Sequence, residues 1–230
     1  MRGCPVAYSR VSGSTHGQKT FMKHAHWHYF AALSEDVQGI SRYVEPTQAN
    51  FKTYSIELAR LYLSICSEID VVVKLLCHKA NPVAKLNGIN SYRPILAKYQ
   101  DFPSVEVRIP RAELLLIPWQ EWRNGKNPTW WGQYNEVKHE RDKFFYQANL
   151  ENTLNALAGL LVSVGYLYAE DLRDHYLPLS QNFMGFSTKY YSGSTVAGPN
   201  GPITAFRLPG IPRSDDDLKS LKRHGISPAP

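Results

Sequence analysis

Apolar residues recur at helical spacing in two long segments of this 230-residue chain. In the first, roughly 50–79, Tyr54, Leu58, Leu61, Tyr62, Ile65, Ile69, Val72, Val73 and Leu76 share one face of a wheel turned about 100° per residue. That face is broad enough to bury against two neighbours, with Glu57, Ser64 and Glu68 along its edge. Asn81-Pro82 stops the pattern, because a residue before proline avoids the α region. The second segment runs from 127 to about 175. Asn127 suits an N-cap, and Pro128 suits the first helical position, where its missing N–H costs nothing. Trp130, Tyr134, Val137, Phe144, Phe145 and Ala148 form its first apolar stripe. Beyond Asn149 the stripe moves to Leu150, Leu154, Leu157 and Leu161, on roughly the opposite side. The helix therefore breaks near 149–152, or its second half is buried on several sides. Asn149, a good N-cap, favours the break.

The remaining segments are less regular. Residues 26–44 predict a short first helix and 91–100 another. Between 101 and 125 the chain is rich in Pro, Trp and Gly, the composition of a packed irregular connector, with a candidate strand at 105–109. Residues 1–21 have no periodicity and read as a flexible N-terminal extension. From 178 the composition turns to Gly, Pro, Ser and Tyr, so 178–230 is expected to be an irregular C-terminal tail. Within it 192–202 is linker-like and 203–208 is a candidate strand. The expected organisation is an all-α bundle over 22–177, its long helices packed antiparallel.

Composition narrows the setting. Hydrophobic residues make up 43% of the chain, enough for a real core, and the net charge of +6 suits contact with phosphates without requiring it. Cys66 and Cys77 fall on one helix, about 16 Å apart at ~1.5 Å per residue, too far for a disulfide within the chain. With Cys4 they make no framework, as expected of a reducing compartment. Residues 1–21 lack the apolar run of a secretory signal. The longest apolar stretch, 154–168, contains Asn155 and Ser163 and falls short of the ~20 residues that span a bilayer. The expectation is a cytoplasmic protein with no membrane contact.

Candidate chemistry is concentrated in one string, Trp130-Trp131-Gly132-Gln133-Tyr134-Asn135-Glu136-Val137-Lys138-His139-Glu140-Arg141-Asp142. On a continuous helix Trp131, Asn135, Lys138, His139 and Asp142 form a ridge beside the apolar face. Asn135 and His139 are four apart, the spacing at which an amide can orient an imidazole. A histidine beside a cation is a plausible acid/base group for phosphodiester chemistry, and cations stabilise charge on a transferring phosphate. The same ridge also suits a half-exposed bundle seam. Arg141 falls inside the apolar stripe, where an unpaired guanidinium is costly. It is expected to pair with Glu57 or Glu68, or to line a cleft where a phosphate replaces the acid.

Trp130 and Trp131 are candidates for stacking RNA bases, or members of a packing cluster with Trp119 and Trp122. His24, His26 and His28 alternate; on a strand they would share a face, but no acid or cysteine stands at matching spacing, so no metal and no cofactor is expected. Nucleotide-binding and standard hydrolase motifs are absent.

Two stretches, 42–77 and 129–168, resemble a group of bacterial helical proteins whose most specific feature is the string Tyr134-Asn135-x-Val137-Lys138-His139-x-Arg141. More distantly the arrangement resembles the HEPN superfamily of small helical bundles in toxin–antitoxin and anti-phage systems. That resemblance implies a metal-independent endoribonuclease acting as a homodimer, with RNA as substrate and with a partner protein of a defence or toxin–antitoxin system. His139 carries over as the catalytic histidine. The family's arginine, which precedes its histidine, has no counterpart here, and Arg141 stands on the other side. The alternatives are a helical protein-interaction module and a nucleic-acid binder without catalysis.

Overall fold

The computed structural model describes residues 23–96, 101–173, 183–198, 201–206 and 208. The expected extension at 1–21 lies outside them, as does most of the expected tail.

Helix α1 (Ala25–Ile40) starts at His24, whose backbone is left-handed (φ 60°), and buries Trp27, Phe30, Leu33, Ser34 and Val37. Helix α2 (Ile56–Ala80) is capped by Ser55, whose hydroxyl accepts from the Leu58 N–H at 3.1 Å. Glu57 in its first turn and His78 and Lys79 in its last suit the helix dipole. The expected face is buried from Leu58 to Leu76, whereas Tyr54, ahead of the helix, is half exposed. Helix α3 (Ile89–Leu96) follows. Strands β1 (Val107–Ile109) and β2 (Leu114–Leu116) then form a hairpin in the register Val107↔Leu116.

Helix α4 (Thr129–His139) begins without a cap from Asn127, whose side chain is bound to Asn90 and Arg93. The Glu121 carboxylate instead accepts from the Thr129 N–H at 3.2 Å. A short helix α5 (Arg141–Phe144) precedes α6 (Leu150–Leu167) and α7 (Ala169–Arg173). The break before α6 is where Asn149 predicts it, with Asn149 Oδ1 accepting from the Asn152 N–H at 3.0 Å. The second expectation holds too: α6 is buried on nearly every side.

The long helices do not run as expected. Asp36 meets Arg60 at 3.1 Å and His26 meets Glu68 at 2.6 Å, so α1 is antiparallel to α2. The α1 start also meets the α6 end, where His24 contacts the Tyr168 ring and Asp171. At the other pole Tyr54 bridges to Asn149, the Leu150 N–H donates to the Thr53 carbonyl at 2.9 Å, and Lys52 pairs with Glu151 at 2.7 Å. Helices α2 and α6 are therefore parallel. The segment between them is long enough to return the chain to its starting pole. Helix α4 makes part of that return, touching Asn152 through Gln133 and Gly159 through Trp130.

The boundary at 178 is corrected as well. Strand β3 (Gly185–Phe186) pairs with β1, completing a three-stranded sheet in the order β2-β1-β3. Phe183, Met184, Phe186, Tyr190 and Leu208 are buried. Phe186 and Leu208 sit against Gly165 of α6: a Cβ there would lie 2.5 Å from the Phe186 ring and 3.2 Å from Leu208. Of the stretch 192–202, read as a linker, 192–198 and 201–202 belong to the paired strands β4 (Tyr191–Gly198) and β5 (Gly201–Phe206). The fold is mostly helical with a small sheet, and among the described residues no helix is long and apolar enough to cross a membrane.

Candidate functional site

The Lys138–Asp142 string does not form one helix. Helix α4 ends at His139, and Glu140 leaves helical geometry (φ −136°, ψ 52°) before α5 begins at Arg141. No proline or glycine marks this break. It turns Arg141 away from the apolar stripe that a continuous helix would give it, and Arg141 is exposed. The expected ion pairs are absent for the same reason. Glu57 binds Arg60, whose guanidinium holds its carboxyl below the usual range. Glu68 Oε1 lies 2.6 Å from His26 Nδ1. Arg141 has no carboxylate partner among the described residues.

The break creates a depression instead. Lys138, His139, Arg141 and Asp142 line an open hollow of about 670 Å³, together with Leu63, Val137 and Phe145. Val137 is buried, while Leu63 and Phe145 are partly so, so the lining combines apolar and charged side chains. The Lys138 ammonium lies 5.6 Å from the centre of the Tyr134 ring. Burial pushes the Tyr134 phenol up to about 12, so near neutral pH the ring is uncharged and attracts the ammonium through its π face. Lys138, His139 and Arg141 thus share one open surface with the Asp142 carboxylate, a surface on which cations can meet a phosphate.

Asn135 does not take the expected role. Its amide donates to the Trp131 carbonyl at 3.0 Å within its own helix, and it does not line the hollow. Trp130 and Trp131 are corrected as stacking candidates, because both are buried, at 4% and 6% exposure. They continue a packed row in which Trp119 lies 4.4 Å from Trp122 and 5.1 Å from Trp130, centre to centre. Trp130 Nε1 donates to the Pro118 carbonyl at 2.8 Å and Trp119 Nε1 to the Gly159 carbonyl at 3.2 Å. Gly159 admits this close packing, since a Cβ there would lie 3.1 Å from the Trp130 ring.

One ring contact beside the hollow was not anticipated. Tyr54, just ahead of α2, meets the Phe145 ring edge-on at 5.4 Å. The signal for this was weak, since both residues lie in apolar stripes that predict burial. His24 and His26 stand at the start of a helix, so their alternation does not gather them on one side. Among the described residues no three His, Cys, Asp or Glu side chains come together as a metal site. No family model, curated protein or solved structure matches the chain.

Proposed function

We propose that the hollow at the α4–α5 break is an RNA phosphodiester site in a HEPN-like protein of bacterial defence or toxin type. The observation that supports this is that Lys138, His139 and Arg141 line one open hollow, where two cations outnumber the single carboxylate of Asp142. In the reaction His139 takes the proton of a ribose 2′-hydroxyl. The 2′-oxygen bonds to phosphorus as the bond to the 5′-oxygen breaks, and that oxygen leaves with a proton from water. Lys138 and Arg141 offset the charge gathering on the phosphoryl oxygens. The products are a 2′,3′-cyclic phosphate and a 5′-hydroxyl. The chemistry is metal-independent, and the working unit is a homodimer in which two His139 sites face one groove.

A second reading, RNA binding without cleavage, is favoured by the missing orienting group: with Asn135 bound to Trp131, no described side chain fixes the His139 ring. Incubation of the purified chain with total RNA, with and without EDTA, separates the two. The enzymatic reading expects chelator-resistant fragmentation. Retention of intact RNA supports binding alone, and neither binding nor fragmentation refutes both.

A further inference from the structure

We infer that Tyr54, Phe145 and Tyr146 form a base-stacking platform beside the cationic hollow, so that its ligand is a single-stranded segment with unpaired bases. The inference rests on the RNA reading above. Phe145 lines the same hollow as Lys138, His139 and Arg141, and Tyr54 packs edge-on against it. Tyr54 is 50% exposed and Tyr146, the next residue after Phe145, is 54% exposed. Tyr29 and Tyr43 are also exposed, at 44% and 86%, but neither lines this hollow, whereas Tyr62, Tyr92, Tyr166 and Trp119 are at most 1% exposed. Scattered exposed rings are ordinary on a protein surface. An exposed ring packed on a half-buried one that itself shares a hollow with two cations makes a different surface. Rings beside cations suit unpaired nucleotides, because every base has a face to stack while the cations hold the phosphates. A duplex keeps its bases stacked internally and offers none. An apolar peptide would leave Lys138 and Arg141 with only the Asp142 carboxylate between them as counter-charge.

The platform also fits the fold. Tyr54 and Phe145 flank the crossing where the Tyr54–Asn149 bridge joins the starts of α2 and α6. The Tyr54 backbone is therefore held where two long helices start, and little ordering of it is left for the ligand to supply.

The test is fluorescence anisotropy with a labelled 12-nucleotide single-stranded RNA, the same strand with central abasic sites, and its duplex. Wild-type chain is compared with Tyr54→Ala, Tyr54→Phe and Tyr146→Ala, at a substrate-protecting 2′-O-methyl backbone. Stacking is worth about 1–3 kcal/mol per base, so Tyr54→Ala is expected to weaken the single strand about 5- to 150-fold. Tyr54→Phe keeps wild-type affinity. Abasic sites weaken wild type by a similar factor and add little to Tyr54→Ala. Equal binding of the abasic and intact strands, or wild-type affinity in both alanine variants, overturns the platform and leaves the phosphate site standing. Failure of every oligonucleotide to bind wild type overturns both.

Discussion

Tyr54 pairs through its backbone with Asn149, and this one bridge fixes the starts of α2 and α6 at the same pole of the bundle. Asn149 also caps α6 through its side chain, while its amide donates to the Tyr146 carbonyl at 3.3 Å. Replacing Asn149 by alanine removes the cap and leaves the backbone bridge in place. The expected loss is about 0.5–2 kcal/mol, read from urea denaturation as a lower midpoint with unchanged slope. A stability equal to wild type would remove the cap from the account.

Gly165 carries the contact between α6 and the returning C-terminal strand. Gly165→Ala places a methyl group against Phe186, which is itself 4% exposed and has little room to move. Overpacking of this kind costs about 1–3 kcal/mol. The double variant Gly165→Ala, Phe186→Leu should recover part of the loss, because the shorter side chain vacates the overlap. Thermal melts of the four combinations measure the coupling, and additive losses would place the strain elsewhere.

The cysteines provide a check on the core. Burial pushes the Cys77 thiol up to about 12 and the Cys66 thiol well above its ordinary value. An exposed cysteine, with a value near 8.5, is partly thiolate at pH 8. Iodoacetamide at pH 8 should therefore leave Cys66 and Cys77 unmodified in the native chain and label both once urea unfolds it. Peptide mapping reads this directly. Native labelling of Cys66 at a free-thiol rate would contradict the burial of α2.

The C-terminal strand should respond to acid. Glu106 binds Lys189 at 2.7 Å, and this contact holds the Glu106 carboxyl below the usual range. A carboxyl lowered on folding stabilises above its unfolded value, and that contribution disappears as pH falls through the folded value. Docking of β3 should weaken below about pH 4, the region of ordinary glutamate titration. Limited proteolysis after 182, compared at pH 7 and pH 3.5 with an acid-active protease, should show the change in wild type and less of it in Glu106→Gln. An identical pH response in that variant would exclude Glu106 as its source.

Much of the helical core was legible because burial has a period. The α2 face from Leu58 to Leu76 and the Asn149 break both follow from side-chain spacing and cap chemistry. Direction was not legible: spacing tells which side of α2 is buried but not whether its neighbour runs up or down, and the parallel α2–α6 pair depends on contacts 95 residues apart such as Tyr54–Asn149. The break at Glu140 was hidden for a related reason, since none of Lys138, His139, Glu140 or Arg141 is a helix breaker. That break moved Arg141 out of the stripe and placed it on the hollow with Lys138 and His139, while Asn135 turned to its own helix, an arrangement that spacing on a continuous helix does not give. Trp130 and Trp131 show the reverse error, where a residue type suited to binding bases is spent on packing against Gly159.

The central claim is that His139 acts on an RNA phosphodiester, and end-group analysis of cleaved RNA tests it most directly. Wild-type chain and His139→Ala are incubated with one defined single-stranded RNA in EDTA, and the fragments are weighed by mass spectrometry. His139 is exposed at the end of α4, so the alanine variant should melt like wild type. The account predicts fragments with 2′,3′-cyclic phosphate and 5′-hydroxyl ends from wild type, a loss of at least about a hundredfold in rate in His139→Ala, and no cleavage of the matching DNA. Full activity in His139→Ala, or 5′-phosphate ends from wild type, would contradict it.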